Sequence, residues 1–363
     1  MDNGNLKLIV LGNCRELGEK VNKNIAQMRN EESNYIIPIK ETRFNNGEGK
    51  VEILESIREK DVFILSDIGN HSCTYRMFGY ENHMGPDEHF QDIKRVIYAM
   101  RGHTSNITVV MPLLYESRQH RRKGRESLDC ANGLQELIGL GVKNILTFDV
   151  HDVGIQNAVP LKSFENIYPT NTIISGFVER ENIDFRNLVI ISPDTGAIDR
   201  AKFYANIFKA DLGMFYKSRD LTKIENGKNP IKEHKYIGDD VAGKNVIVVD
   251  DIIASGDSML DVARKLKSLG AATVYMISTF ALFTEGYEKF AQAYKDGEFD
   301  KIYSTNLSYV PECVKSASWF EEVDCSHQIA EIIHALNCQK SITPLMNGKQ
   351  KVIEKIDQKK SNA

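Results

Sequence analysis

Short apolar, β-branched runs alternate along the chain with amphipathic stretches, a pattern typical of repeated strand–helix units. Strands are predicted at residues 7–11, 62–66, 107–111, 144–149, 188–192, 211–216, 246–250 and 272–279. Helices are predicted at residues 15–29, 88–101, 126–140, 171–181, 196–209, 257–269 and 324–337. The run Val246–Val249 is apolar at every position, which suits a parallel strand covered by helices on both faces. The pattern therefore predicts an α/β fold built from doubly wound parallel sheets.

The predicted elements are too numerous for one ordinary sheet, which indicates two tandem doubly wound domains. The pattern breaks at Ala158-Val159-Pro160, so the predicted domains span residues 1–160 and 161–340. Residues 341–363 show little apolar periodicity, and we expect them to form a frayed tail.

Composition and charge narrow the class of protein. The 363 residues are 42% hydrophobic and 26% charged, values near the globular average that exclude a largely disordered or fibrous chain. Lys and Arg number 46 against 50 Asp and Glu, so no overall basic field favours nucleic acid as a partner. No apolar run approaches the roughly 18 residues of a membrane span, and the N-terminus lacks a signal-peptide layout. We therefore expect a cytoplasmic protein with no membrane association.

Acidic residues stand at the ends of several predicted strands. Asp149, Asp194 and the pair Asp250-Asp251 all follow apolar runs. In open α/β sheets, ligands bind outside the carboxyl ends of the strands. Acids at these positions in a chain of near-neutral charge predict a site for a divalent cation or for sugar hydroxyls.

The most specific motif in the chain is Asp250–Ser258, in which two carboxylates are followed by a small polar loop and then a predicted helix. Backbone N–H groups at a helix start, together with the hydroxyls of Ser255 and Ser258, form a phosphate cradle. Paired acids bind vicinal hydroxyls, or a Mg²⁺ ion that bridges to them. The order of these groups matches a phosphorylated ribose.

This segment resembles the phosphoribosyl-pyrophosphate binding signature of the type I phosphoribosyltransferase superfamily. The resemblance implies ribose-5-phosphate contacts from Asp250, Asp251, Ala254, Ser255, Gly256, Asp257 and Ser258, together with Arg219. Ala254 replaces an Asp or Thr of the pattern, and Asp257 replaces a Gly. Asp257 brings a negative charge beside the expected phosphate, which weakens the site unless the side chain points away or caps the helix.

Over residues 6–340 the chain is similar to the ribose-phosphate pyrophosphokinase family. The similarity implies ATP contacts from Phe44, Asn46, Gly47, Glu48, Arg118 and Gln119. Asn46 and His120 stand where the family usually has Asp. The similarity further implies metal ligands at His151 and Asp194, with Mg²⁺ as the cofactor. Lys217 and Arg219 match the catalytic Lys and Arg at the start of the family's flexible loop.

The implied reaction transfers the diphosphoryl group of Mg-ATP to the C1 hydroxyl of ribose 5-phosphate. The family also implies a homo-oligomer, a hexamer, in which the loop Phe44–Glu48 reaches a neighbouring subunit, with the active site between the two domains. Residues 218–236 are polar and are predicted to form a lid that is mobile when empty. Residues 69–87 are interpreted as an insertion relative to the family.

Two alternatives remain open from the sequence. A type I phosphoribosyltransferase shares the 250–258 loop, but it normally has one such domain and no counterpart of Lys217. A catalytically silent regulatory homologue is the second alternative, and the presence of Lys217, Arg219, His151 and Asp194 argues against it.

Overall fold

The computed structural model describes residues 5–219, 231–346 and 348–362, which fall into two compact units. The first unit takes the chain through Pro169 and regains it at Asn306–Tyr309 and from Asp324 through 346. The second unit holds Thr170–Thr305, Val310–Val323 and the chain from Gly348 onward.

The predicted strands and helices are all present, and the described residues add further strands and helices between them. The strands are β1 (Leu6–Val10), β2 (Ile39–Arg43), β3 (Gly49–Ile53), β4 (Asp61–Leu65), β5 (Thr74–Met77), β6 (Tyr80–His83), β7 (Asn106–Val110), β8 (Asn144–Phe148), β9 (Ser163–Ile167), β10 (Leu188–Ser192), β11 (Asp211–Arg219), β12 (Ile231–Ile237), β13 (Asn245–Ile253), β14 (Thr273–Ala281), β15 (Lys301–Thr305) and β16 (Phe320–Val323). The helices are α1 (Arg15–Arg29), α2 (Pro86–Met100), α3 (Asp129–Gly139), α4 (Thr170–Arg180), α5 (Ile198–Phe208), α6 (Asp257–Ser268), α7 (Glu288–Lys295), α8 (Glu312–Lys315), α9 (Ser326–Asn337), α10 (Thr343–Met346) and α11 (Lys349–Asn362).

The first unit is built on a five-stranded parallel sheet of order β1-β4-β7-β8-β9. On the outer side of β1, the N–H of Leu8 donates to the Tyr35 carbonyl at 2.9 Å, and the N–H of Ile37 donates to the Leu8 carbonyl at 2.8 Å. This short parallel pairing makes the strand order reverse beside β1. Two antiparallel hairpins, β2–β3 and β5–β6, stand outside the sheet.

The second unit is built on a seven-stranded sheet of order β12-β11-β10-β13-β14-β15-β16. All its pairs are parallel except β11–β12. The order runs outward in both directions from β10 and β13, so the sheet reverses between these two strands. In open α/β sheets, ligands bind outside the carboxyl ends of the strands at such a reversal.

Both faces of the second sheet are covered. Val246 and Val248 belong to a core cluster that includes residues of α6 and α7. Ile247 and Val249 belong to a separate cluster that includes residues of α4, α5 and α11. Successive strand residues therefore point into opposite cores, which confirms the interpretation of Val246–Val249 as a strand buried on both faces.

Each of the eight predicted strands is present, but the boundary between the units differs from the predicted one. Residues 163–167 form β9, which pairs with β8 in the first sheet, so the first unit continues to Pro169 rather than ending at 160. The second unit is also interrupted, because Asn306–Tyr309 and α9 return to the first unit. No break in the apolar pattern of the sequence marks these returns.

The predicted frayed tail is wrong, because most of the segment from 343 onward is helical. Val352 and Ile356, four residues apart on α11, are buried against the cluster of α4 and α5. The Lys360 ammonium donates to the Phe208 carbonyl at 2.7 Å, and Lys209 pairs with Asp357 at 3.2 Å. A narrow apolar stripe among many charges was enough to dock this helix.

A buried carboxylate just after β4 is hydrogen-bonded to the segment at 306–309. Asp67 accepts hydrogen bonds from the Gly69 N–H at 2.9 Å, the Ser308 hydroxyl at 2.9 Å and the Tyr309 N–H at 2.7 Å. The residue is 4% exposed, and burial raises the pKa of its carboxyl to about 7 in spite of these donors.

Asp67 is expected to make stability depend on pH between about 4 and 7. An unfolded Asp has a pKa near 3.9, so the folded state gains stability from this proton at low pH and loses it as pH rises through 7. The loss is on the order of 4 kcal/mol. Melting temperatures of the wild type and of Asp67→Asn, measured from pH 5 to 8, should shift in favour of the variant as pH rises. A difference independent of pH would contradict this assignment.

Within the described residues, no helix combines the length and the apolar character that a membrane span requires.

Candidate active site

The reversal of strand order in the second unit brings together the loops that follow β10 and β13. Asp194 follows β10, and Asp250 and Asp251 lie near the end of β13. These are two of the three acidic strand ends identified in the sequence. The third, Asp149, follows β8 in the first unit and is buried.

Asp250 and Asp251 form a tight acidic pair. Burial raises the pKa of Asp250 well above its usual range, the neighbouring Asp251 raises it further, and Arg200 opposes both. The Arg200 guanidinium on α5 lies 3.9 Å from the Asp250 carboxylate. Asp251 is 5% exposed, and its carboxylate accepts the N–H of Ile252 at 2.9 Å. Such a pair favours ligand groups that donate hydrogen bonds, such as sugar hydroxyls.

The loop between β13 and α6 depends on Gly256. This glycine has φ +88°, and a Cβ at its position would lie 1.9 Å from the Phe290 ring. Only glycine combines this backbone conformation with so close an approach. Helix α6 begins at the next residue, so the loop leads directly into a set of backbone N–H groups suited to an anion.

Gly256→Ala is expected to lower the free energy of unfolding by about 3 kcal/mol, since it adds both a clash and a left-handed alanine. Gly297→Ala is the matched control, because Gly297 has φ +72° and no atom within 4 Å of an added Cβ. Urea unfolding should show a markedly larger loss for the first variant. Equal losses would mean that the contact with Phe290 does not matter.

The charge of Asp257 is balanced by Lys289, a residue distant in sequence. The Lys289 ammonium on α7 lies 2.6 Å from the Asp257 carboxylate and 3.2 Å from that of Glu285. Ser255 also donates to Asp257 at 3.2 Å. Asp257 is the first residue of α6 and does not take the N-cap position, which Gly256 occupies. The ion pair with Lys289 therefore offsets the charge that departs from the family pattern, and no local spacing connects these two residues in the sequence.

The Asp194 carboxylate is held by backbone N–H groups of the turn that follows it. One carboxylate oxygen accepts the N–H of Gly196 at 2.7 Å and that of Ala197 at 3.2 Å. The residue is exposed at the end of β10. Its partner in the predicted metal site, His151, belongs to the first unit. Among the described residues, no three His, Cys, Asp or Glu side chains are grouped so as to hold a metal.

The predicted catalytic pair lies at the end of β11. Backbone pairing places Lys217 opposite His234 and Arg219 opposite Ile231 on β12. The predicted lid at 218–236 is therefore too long, because both of its ends are strands. The remaining lid residues, 220–230, and the side chains of Lys217 and Arg219 lie outside what the structure describes.

In the first unit, the predicted adenine loop Phe44–Glu48 is the tip of the β2–β3 hairpin. The N–H of Phe44 donates to the Glu48 carbonyl at 2.8 Å, and the Asn46 amide donates to the Glu48 carboxylate at 2.9 Å. Gly47 has φ +93°, and the Phe44 ring is 47% exposed. Asn46 thus holds the turn together where the family usually has Asp.

The second predicted ATP segment brings two histidines together. Arg118 and Gln119 are exposed, and the next residue, His120, lies 5.5 Å from His151 between ring centroids. The His120 ring is also 3.2 Å from the Asp152 carboxylate, which pairs with Arg121. The sequence shows His120 only as a departure from the family pattern, and the structure places it beside the predicted metal ligand.

Profiles of two known domains match most of the chain. Residues 6–141 match the N-terminal domain of ribose phosphate pyrophosphokinase, and residues 165–317 match the phosphoribosyl transferase domain.

Curated relatives and a solved structure agree with these matches. The ribose-phosphate pyrophosphokinase of Nitrosomonas europaea is 26% identical over 84% of this chain and 88% of its own length. Ribose-phosphate pyrophosphokinase 1 of Streptococcus agalactiae is 26% identical over 95% of this chain and 98% of its own. The crystal structure of phosphoribosylpyrophosphate synthetase from Mycobacterium smegmatis covers 92% of this chain and 99% of its own, with a TM-score of 0.76 and 21% identity, which shows a shared fold. The chain belongs to the ribose-phosphate pyrophosphokinase family of transferases, and this confirms the resemblance found in its sequence.

Proposed function

We propose that this chain transfers the diphosphoryl group of ATP to the C1 hydroxyl of ribose 5-phosphate, giving 5-phosphoribosyl 1-pyrophosphate and AMP. The observation that carries the proposal is the segment Asp250–Ser258, a partly buried acidic pair followed by a glycine-dependent loop and a helix start at the reversal of the second sheet. This order of groups suits a sugar hydroxyl pair next to a phosphate.

The ribose-5-phosphate site is assigned to the second unit. Asp250 and Asp251 accept hydrogen bonds from the ribose hydroxyls, and the positive charge of Arg200 partly offsets their negative charge. The backbone of Ala254, Ser255 and Gly256, the side chain of Ser258 and the start of α6 bind the 5-phosphate. Lys289 keeps Asp257 neutralised beside that phosphate.

The nucleotide site is assigned to the first unit. Phe44 offers an exposed ring to the adenine base, and the turn of Asn46, Gly47 and Glu48 presents polar groups to its edge. Arg118 and Gln119 contact the ATP phosphates. Lys217 and Arg219, which the family resemblance implies as the catalytic pair, place positive charge on the transferred group, since phosphoryl transfer depends chiefly on positioning and charge neutralisation.

The residues at hand fit a Mg²⁺ ion. In phosphoryl-transfer sites, Mg²⁺ is usually bound by one or two protein carboxylates together with substrate phosphates. Asp194, exposed and anchored through one oxygen, suits this role. The family resemblance also implies a metal role for His151. When bound, Mg²⁺ neutralises charge on the phosphate oxygens.

We further propose that the protein is a cytoplasmic homo-oligomer, a hexamer as in the family pattern.

The experiment that tests the function incubates the protein with Mg-ATP and ribose 5-phosphate and resolves the products by ³¹P NMR. AMP and 5-phosphoribosyl 1-pyrophosphate in equal amounts are expected. ADP would indicate an ordinary kinase, and no reaction would indicate a catalytically silent homologue. Either outcome would contradict the proposal.

A further inference from the structure

The β5–β6 hairpin lies within the predicted insertion at 69–87, and its tip touches the loop Phe44–Glu48. The N–H of Phe78 donates to the Asn45 carbonyl at 2.9 Å. Next to it, Met77 packs so closely on Gly47 that a Cβ at Gly47 would lie 2.7 Å from the Met77 sulfur. The hairpin therefore contacts the loop through one polar and one apolar contact at adjacent residues.

The base of the hairpin is joined to the strand that leads into the loop. The Arg43 guanidinium, next to Phe44 in the chain, lies 5.3 Å from the centre of the Tyr75 ring. Arg43 is fixed from the other side by Asp92 at 2.7 Å, and Asp92 pairs in turn with Arg95 at 2.6 Å. These three charged side chains are at least four-fifths buried, so the ion pairs are shielded from solvent. Contacts at both its tip and its base connect the hairpin to the β2–β3 element.

The turn at the hairpin tip has an unusual residue for its type. Phe78 and Gly79 have φ +50° and +85°, values typical of a two-residue type I′ turn. Asn-Gly is the favoured pair there, and an aromatic residue in the left-handed region costs about 1 kcal/mol. The turn keeps this conformation while its Phe78 N–H bonds the neighbouring loop.

We propose that the β5–β6 hairpin is a positioning element, which holds the loop Phe44–Glu48 in its binding conformation before the nucleotide arrives. The proposal rests on the proposed function, in which that loop contacts the adenine of ATP. A loop ordered in advance loses less conformational entropy on binding, so the hairpin raises the affinity for ATP without touching the reacting phosphates.

The decisive variant removes the hairpin and keeps its base. The N–H of Met84 donates to the Cys73 carbonyl at 2.8 Å, so these two residues are already hydrogen-bonded to each other across the base of the hairpin. Replacing residues 74–83 by Asn-Gly leaves a two-residue turn between them. The KM for ATP should rise about tenfold, while the KM for ribose 5-phosphate should change by less than about twofold, since the hairpin lies outside the sugar-phosphate site.

Hydrogen exchange gives a readout that is independent of activity. The N–H of Gly47 donates to the Phe44 carbonyl at 2.8 Å, and its exchange, with that of Glu48, should speed up about tenfold once the hairpin is removed. Met77→Ala is the second variant if the excision does not fold, and it should produce smaller changes in the same direction. Phe78→Asn is the matched control, because Asn suits the turn and retains the N–H donor. It should leave both the exchange and the KM for ATP unchanged.

An unchanged KM for ATP with unchanged exchange at 47–48 would overturn the proposal, as would an equal rise in both KM values. A Phe78→Asn variant that reproduces the excision would also overturn it, since the ring would then be the functional part. If the wild type forms no AMP, the proposed function fails. The exchange measurement still decides whether the hairpin orders the loop.

Discussion

Asp194→Asn is expected to lower kcat by at least about a hundredfold and to raise the Mg²⁺ concentration required for half-maximal activity. The structural reason is that the substitution changes charge and little else. The carboxylate oxygen that accepts the N–H groups of Gly196 and Ala197 has an equivalent acceptor in the Asn amide, so the turn after β10 is retained. The measurement is a titration of initial rates with Mg²⁺ at saturating ATP and ribose 5-phosphate.

Asp199→Asn is the control for this prediction. Asp199 is an exposed acid in the first turn of α5, paired with Lys202 at 3.1 Å, and it has no part in the proposed site. Its removal should leave the Mg²⁺ titration unchanged. If Asp194→Asn behaved like Asp199→Asn, Asp194 would not be a metal ligand.

Lys217→Ala is expected to reduce kcat by at least about a hundredfold with little change in ATP affinity. This is the scale observed when one preorganised charge donor is lost from a transition state. Lys217 lies on β11, opposite His234 and next to the predicted lid. Its charge is expected to reach the phosphates only after both substrates bind, so kcat should fall while the dissociation constant for ATP, measured by calorimetry, stays nearly constant.

Lys235→Ala provides the comparison, because Lys235 is exposed on the paired strand β12 opposite Tyr216. Its loss removes a similar charge from the same hairpin and should leave kcat within about twofold, as expected for an exposed charge outside the site. A near-normal kcat for Lys217→Ala would show that the catalytic charge lies elsewhere in the chain.

The sequence predicted those elements whose signal is local. Val246–Val249 is apolar on both faces because two separate cores cover it, and that pattern is visible without the structure. The acids after β10 and near the end of β13 were found in the same way, because parallel strands bring their carboxyl ends to one edge of the sheet.

Contacts between distant residues could not be predicted in this way. The pairing of Lys289 with Asp257 joins two helices, and no periodicity in either helix indicates it. The contact of Phe78 with Asn45 depends on two hairpins meeting at their tips. Helix α11 was missed because Val352 and Ile356 stand among charged residues. Two apolar residues four apart can be recognised as a buried helix face only when the α4 and α5 residues that cover them are known.

The interrupted path of the chain has a consequence for folding during synthesis. Asp67 and Ser308 are 241 residues apart, which corresponds to roughly 10–50 s of translation at about 5–20 residues per second. During that interval the Asp67 carboxylate lacks two of its three donors, and α1 lacks α9, whose Ser326 later accepts a hydrogen bond from Asn24 at 2.9 Å. The nascent first unit therefore emerges from the ribosome with an unfinished surface, which only a late part of the chain completes.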